Sequence, residues 1–271
     1  MQRTIRLGNR QFHINDEGDR WYGRQFWDLY ESGAWEPDTI AAFDAHITEE
    51  STFIDVGAAI GATALYVAGF AKRTIALEPN RDVFSLLERN SGLNIELGIE
   101  TLNIALHAVG GDIEFSSGGR VFSDIVFTNS SSGYPVTCMS IGDLLAERAV
   151  EATGHNLFLK IDIEGGEFEL IASPSFREFV IEVQPSIILA LHPGAMARSG
   201  SSGSGRWRRW RIAKSLFREY RTVFWLVRKY RDVYFGQKRF RFWHLLNFRT
   251  YRPSHLPAPI ELLFIADDQA S

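Results

Sequence analysis

Three short stretches of this chain carry residues fit for chemistry. The first is Phe53-Ile-Asp-Val-Gly-Ala-Ala-Ile-Gly-Ala62. An apolar run passes through Asp55 and Val56 into a turn with Gly57, Ala58 and Gly61, then into an Ala- and Leu-rich stretch. That is the form of a strand, a ligand-binding turn and a helix. Glycine suits position 57 if a ligand must approach the backbone where a Cβ would intrude, so a side chain there is expected to exclude ligand while sparing the fold. Gly61 suits close packing of the new helix on the strand. Asp55 can orient the turn or hold a positively charged ligand group. The glycine spacing is G-x-x-x-G; a pyrophosphate asks for the tighter G-x-G-x-x-G. A nucleoside cofactor without phosphate, such as S-adenosylmethionine, fits better than NAD or FAD.

The second stretch is Glu78-Pro79-Asn80, with Glu78 twenty-one residues after Gly57. An acid about 20 residues beyond the glycine turn is placed to accept hydrogen bonds from ribose hydroxyls. The third is Leu157-Phe-Leu-Lys-Ile-Asp-Ile-Glu-Gly-Gly-Glu167. Here an apolar strand ends in Asp162 and Glu164, which face the same crevice as Asp55 and Glu78 if ligands lie outside the carboxyl ends of the strands. Glu167 reads as a residue capping the helix that follows, because acids favour helix N-termini. A reaction in which a group must give up a proton needs a positioned base. His192, after the apolar run Ser186 to Leu191, is the best candidate; Asp162 and Glu164 are alternatives as base or substrate anchor, and His107 is a weaker one. No metal site is assigned.

These residues need a scaffold that brings strand ends together, and the pattern supplies one. Strands are expected at Thr52–Val56, Arg73–Leu77, Ile99–Leu106, Asn156–Ile163, Ser186–Leu191 and Glu261–Ala266. Helices are expected at Gly61–Phe70, Arg81–Asn90, Ile141–Ala146 and Phe168–Ile171. Such alternation builds a mostly parallel sheet with helices on both faces. Residues 107–140, rich in Gly and Ser, read as an antiparallel excursion. Residues 1–15 read as a hairpin turned at Gly8-Asn9, Trp21–Trp35 as an aromatic helical stretch, and Pro37-Asp38 as a helix start. The expected organisation is a single α/β domain: an N-terminal cap over 1–50, a cofactor-binding core over 51–195, and a basic segment with the final strands over 196–271. Ser199 to Gly205 contains only Ser and Gly, a flexible composition.

The run Phe-Ile-Asp-Val-Gly-Ala-Ala-Ile-Gly, then Ala-Leu-Glu-Pro-Asn, then Leu-Lys-Ile-Asp-Ile-Glu-Gly-Gly-Glu resembles the FkbM-type methyltransferases. So do Asn90, Leu93-Asn94 and Ala105-Leu-His-Ala-Val-Gly110. The resemblance spans about residues 50–195, and its most specific part is the Asp-Ile-Glu-Gly-Gly-Glu run. It implies a Rossmann-like class I methyltransferase fold with a seven-stranded sheet and S-adenosylmethionine as donor. The acceptor it implies is a hydroxyl of a sugar, glycan, lipid-linked compound or secondary metabolite. It also implies that Asp55, Val56, Gly57, Ala58, Gly61, Glu78, Pro79, Asn80, Ala105 and Asp162 surround the cofactor. One departure stands out. The resemblance leads one to expect an acid two positions before His192, and that position is Ala190. A carboxylate that would orient the histidine is then missing, which keeps a second reading open: a methyltransferase-like protein that binds an anionic partner without catalysis.

Composition narrows the rest. One cysteine, Cys138, excludes an internal disulfide and a multi-cysteine zinc site, and fits a reducing compartment. No apolar leader and no spanning stretch is visible, so a cytoplasmic location is expected. Charge is very uneven. Residues 206–252 hold fifteen Lys and Arg against two acids, a net +13, while the rest of the chain is −17. With Trp207, Arg208, Arg209 and Trp210 interleaved, that segment suggests an anionic membrane surface or glycan, and less readily nucleic acid.

Overall fold

The computed structural model describes residues 1–17, 23–115, 134–163, 166–192, 219, 221–235, 238–239 and 260–266. The chain opens with a hairpin, β1 (Gln2–Leu7) and β2 (Arg10–Asn15), then α1 (Arg24–Glu31) and α2 (Pro37–His46). Next come β3 (Thr52–Val56), α3 (Ala62–Ala68), β4 (Arg73–Leu77), α4 (Arg81–Gly92) and β5 (Glu100–Leu102). A small sheet follows, made of β6 (Ala105–Leu106), β7 (Gly111–Phe115) and β8 (Tyr134–Met139). The remainder is α5 (Ile141–Glu147), β9 (Leu157–Ile161), α6 (Glu167–Ala172), α7 (Pro174–Val183), β10 (Ser186–Leu191), α8 (221–227), β11 (Asp232–Phe235), β12 (Lys238–Arg239) and β13 (Ile260–Ile265).

The main sheet runs β12-β11-β13-β10-β9-β3-β4-β5. Strands β5, β4, β3, β9 and β10 are parallel, and β13 is antiparallel to both β10 and β11. Seven strands were expected; the two-residue β12 makes eight. The expected strand over 99–106 is in fact two. β5 pairs with β4, whereas β6 leaves for the small sheet and pairs with β8. Asn103 marks the break: its side-chain amide donates to the carbonyls of Glu78 (2.8 Å) and Pro79 (3.2 Å), ending the ladder with β4.

Period-two alternation sorts side chains between the two faces. Ile54, Val56, Leu159, Ile161, Ile187 and Leu189 lie in the core cluster completed by Phe176 and Val180 of α7 and Val223 and Leu226 of α8. Phe53, Phe158 and Ile188 lie on the opposite face with Phe43 of α2, Tyr66 of α3 and Trp27 of α1. Phe43, Phe53 and Phe158 meet with ring centroids 5.2–6.2 Å apart. By the same parity Asp55, Lys160 and Ala190 lie on the α2 face, near the carboxyl ends of β3, β9 and β10. Of the basic segment, α8 buries Val223 and Leu226 and leaves Phe224 37% exposed, so Phe224 is not among the residues covering the sheet. Residues 206–218 and 240–252 lie outside the described residues. Among the described residues no helix is long and apolar enough to cross a membrane.

Candidate active site

The glycine turn is built from alternating left-handed residues: Gly57 (φ +84°), Ala59 (φ +49°) and Gly61 (φ +89°). The amides of Gly57 and Ala58 both donate to the Leu77 carbonyl, at 3.0 and 2.9 Å. Glu78 fixes the rest. Its Oε2 accepts from the amide of Ala59 (3.0 Å) and its Oε1 from the amide of Asn80 (2.8 Å). Each oxygen keeps a further lone pair, so hydroxyl donors can still be accommodated. Burial pushes the Glu78 carboxyl up to about 7, against the lowering effect of those two amides.

The role of Gly57 differs from expectation. A Cβ there would lie 2.0 Å from the carbonyl oxygen of Asp162. The glycine therefore lets β3 pass β9, and a side chain at 57 strikes the fold itself before any ligand. A Cβ on Gly61 would meet Leu87 of α4 at 2.7 Å, so this glycine serves helix–helix packing where strand packing was expected. Val56 and Ala58 point into apolar clusters and can offer a ligand only backbone. Pro79 is buried, and the Asn80 side chain caps α4 through the amides of Asp82 (3.0 Å) and Val83 (3.3 Å). Ala105 is buried in β6 against Val136 and Cys138, a strand beyond the turn.

Asp55 is fully buried. Its Oδ2 accepts from the Thr63 hydroxyl, and its Oδ1 has no hydrogen-bond partner among the described residues. Burial raises its pKa, with Lys160 and Thr63 opposing. Lys160 is 3% exposed and its Nζ lies 3.1 Å from Asp162 Oδ2. Burial alone would discharge this ammonium; the carboxylates of Asp162, Glu36, Asp55 and Glu261 outweigh it and raise its pKa. In turn Asp162 is held below the usual carboxylate range: burial raises it, but Lys160 and His192 together lower it further. Glu36, at the left-handed position before α2, is pushed by burial up to about 8. Glu261 is raised by burial and accepts a 2.7 Å hydrogen bond from Thr39.

His192 is 12% exposed at the side chain, with Nε2 3.7 Å from Asp162 Oδ1 and Nδ1 2.5 Å from Glu167 Oε1. The carboxylate missing at Ala190 is thus supplied from elsewhere. Glu167 occupies the first position of α6, is 0% exposed, and makes no capping bond. The reading of Glu167 as a helix cap is replaced by a contact with the histidine. Glu164 lies outside the described residues. His107 sits 3.8 Å from Glu169, and no contact among the described residues ties it to the His192 group. Among the described residues no group of three or more His, Cys, Asp or Glu is arranged to hold a metal ion.

The structure thus brings Asp55, Asp162 and His192 to one edge of the sheet, with Glu78 beside the turn. It adds four residues that local pattern did not single out as functional: Lys160, Glu36, Glu261 and Glu167. In Lys160 the signal was visible, as a charge inside an otherwise apolar strand.

No curated protein matches the chain significantly. Among solved structures, an FkbM methyltransferase from Methylobacillus flagellatus KT is 15% identical with a TM-score of 0.45, over 89% of this chain and 54% of that one. The chain therefore spans about half the length of that protein. The plantazolicin methyltransferase BpumL, crystallised with a triazolic desmethylPZN analog and SAH, is 10% identical over 90% of both chains, with a TM-score of 0.38. A ribosomal protein L11 methylase from Lactobacillus delbrueckii subsp. bulgaricus is 13% identical over 97% and 98%, with a TM-score of 0.40. At such scores the likenesses carry no argument, and the fold rests on the strand order described above. The model of the methyltransferase FkbM domain matches residues 55–231, most of the chain and all of the turn, Glu78, Asp162, Glu167 and His192. The chain belongs to the FkbM methyltransferase family.

Proposed function

We propose that this protein transfers a methyl group from S-adenosylmethionine to a hydroxyl of a sugar, glycan, lipid-linked or secondary-metabolite acceptor. The observation that carries the reading is His192 at the carboxyl end of β10, 3.7 Å from Asp162 and on the same sheet edge as Asp55. The donor fits the residues present. Asp55 Oδ1, Glu36 Oε2 and Glu261 Oε1 are buried carboxylate oxygens without a hydrogen-bond partner among the described residues, a setting that favours a cationic ligand. Glu78 offers its remaining lone pairs to ribose hydroxyls. When bound, S-adenosylmethionine supplies an electrophilic methyl carbon on a positively charged sulfur.

The chain's own residues have three tasks. The Gly57–Gly61 turn and Glu78 hold the nucleoside end. Burial of the sheet edge excludes water, leaving alignment as the main demand of an in-line displacement. A base must take the hydroxyl proton. Asp162 is a poor base, because Lys160 holds it ionised and low; its oxygens suit a substrate anchor. His192 suits the proton.

Calorimetry with S-adenosylmethionine, followed by methyl-transfer assays on a panel of hydroxylated acceptors, tests the proposal. The wild type should bind the donor and give an O-methylated product, and His192→Ala should keep donor affinity and lose transfer. Donor binding with no transfer to any hydroxyl would favour the non-catalytic reading, in which the basic segment binds an anionic partner. An amine or carbon product would overturn the hydroxyl assignment.

A further inference from the structure

We propose that Glu167 is a positioning residue that fixes His192 as a base through Nδ1. The inference rests on His192 being the proton acceptor of the reaction proposed above.

Glu167 Oε1 stands 2.5 Å from His192 Nδ1, and the Glu167 side chain is 0% exposed. A carboxylate can only accept, so the proton of a neutral imidazole must sit on Nδ1. In that tautomer the lone pair is on Nε2, the nitrogen turned toward Asp162, at 3.7 Å. The opposite tautomer would set the Nδ1 lone pair against a carboxylate oxygen inside the protein, with the second oxygen, Oε2, already lacking a partner among the described residues. Among the described residues two carboxylates flank the ring, and they do not compete equally for its protons. Asp162 is engaged by the Lys160 ammonium at 3.1 Å, so much of its charge is neutralised from behind. Glu167 has no cation other than His192 among its described contacts.

The proton inventory then closes. The acceptor O–H bond breaks as its oxygen bonds the methyl carbon, and the carbon–sulfur bond breaks with its electron pair left on sulfur. The proton goes to Nε2. The imidazolium so formed carries its charge directly beside Glu167, which favours the charged form. The groups that bear on the ring among the described residues are Glu167 on α6, Asp162 after β9, and Lys160 of β9 behind Asp162.

The test does not require a known acceptor. In the intact protein with ¹⁵N-labelled histidine, the His192 signals are assigned by their disappearance in His192→Gln. At pH above the ring's titration the wild type should show the Nδ1–H tautomer; an Nε2–H tautomer or an even mixture would overturn the proposal. Glu167→Gln, nearly isosteric, should lower the pKa of His192 by about one unit or more, with Glu167→Asp recovering part of the shift. Donor affinity and the melting temperature identify variants that fold. A folded Glu167→Gln protein with an unchanged tautomer and titration would also refute it. If the tautomer holds but no hydroxyl is ever methylated, the proposed reaction fails and the positioning contact stands.

Discussion

Replacing Glu78 with Gln offers a test in which the protonation state of one buried group is read through ligand affinity. Ordinary glutamate titrates at 4.5, and burial holds Glu78 at about 7 in the free protein. A folded-state pKa above the unfolded value means that its contribution to stability is fully present below pH 4.5 and is lost as pH rises through 7. The full difference of about 2.5 units amounts to about 3 kcal/mol. Gln removes that penalty but can satisfy only one of the two backbone amides at 2.8 and 3.0 Å, losing about 1–3 kcal/mol. The two effects nearly offset, so the variant should fold at neutral pH. Ligand binding separates the two proteins. If ribose hydroxyls hydrogen-bond the ionised carboxylate, binding returns its pKa toward the ordinary value and expels a proton. S-adenosylmethionine should then bind the wild type about tenfold more weakly at pH 6 than at pH 8. Calorimetry in buffers of different ionisation enthalpy should count about 0.9 proton released from this group at pH 6. Glu78→Gln should bind more weakly at pH 8 and lack this share of the pH dependence. An affinity in the wild type that is flat from pH 6 to 8, or a Gln variant with the same slope and the same proton count, refutes the placement of the ribose at Glu78.

Gly57→Ala should lower stability by about 3 kcal/mol or more, combining left-handed strain with the clash against the Asp162 carbonyl; a melting temperature within a degree or two of wild type would contradict it. Lys160→Met should cost about 3–5 kcal/mol at pH 7.5, because it strands the surrounding buried carboxylates. Asp162 would lose the ammonium that holds it low, and Glu36, Asp55 and Glu261, already raised, would rise further, so urea melts should show much of the loss recovered near pH 5, and an equal loss at both pH values would count against the charge cluster. The membrane proposal for residues 206–252 predicts retention on anionic vesicles at low salt and release at high salt, each cation adding on the order of 1 kcal/mol. Reversing Arg208, Arg209 and Arg211 should reduce retention without changing donor affinity, and equal retention on neutral vesicles would refute it.

The parts of the site that were legible in the sequence are those written locally. Asp55 lies in one strand and the two glycines follow it, Glu78 comes directly after the next, and His192 directly after an apolar run. Each is fixed by a strand end, and strand ends show in hydrophobic pattern. The third strand was misjudged because the Asn103 side chain stops the ladder, and no periodicity announces a side chain that bonds backward to Glu78 and Pro79. Glu167 looked like a helix cap because acids collect at helix starts for dipole reasons alone; its side chain instead meets a histidine that follows β10. Glu36 and Glu261 could not be found locally. Thr39 and Glu261 hydrogen-bond across 222 residues, and they meet only because β13 inserts between β10 and β11.

That insertion also brings a carboxylate to the face on which Ala190 lies. In the antiparallel pairing of β10 with β13, Ala190 stands directly opposite Glu261, and directly opposed residues project from the same face. The methyl group at 190 leaves room on that face, and the carboxylate arrives from the neighbouring strand, braced by Thr39 and drawn to Lys160. Among the described residues the sheet edge thereby holds four carboxylates around one ammonium. Were all ionised, they would leave three uncompensated negative charges in the interior, which burial does not tolerate. Burial pushes Glu36 up to about 8, which favours a proton there in the free protein, and it raises Asp55 and Glu261 in the same direction. A cation arriving at this edge replaces a proton, so its affinity must also rise with pH. The proton count that survives in Glu78→Gln therefore measures this second set of carboxylates. A residual release in that variant which disappears when Glu36→Gln is added would locate the ligand's positive charge beside α2, and its persistence would place that charge against Asp55 or elsewhere.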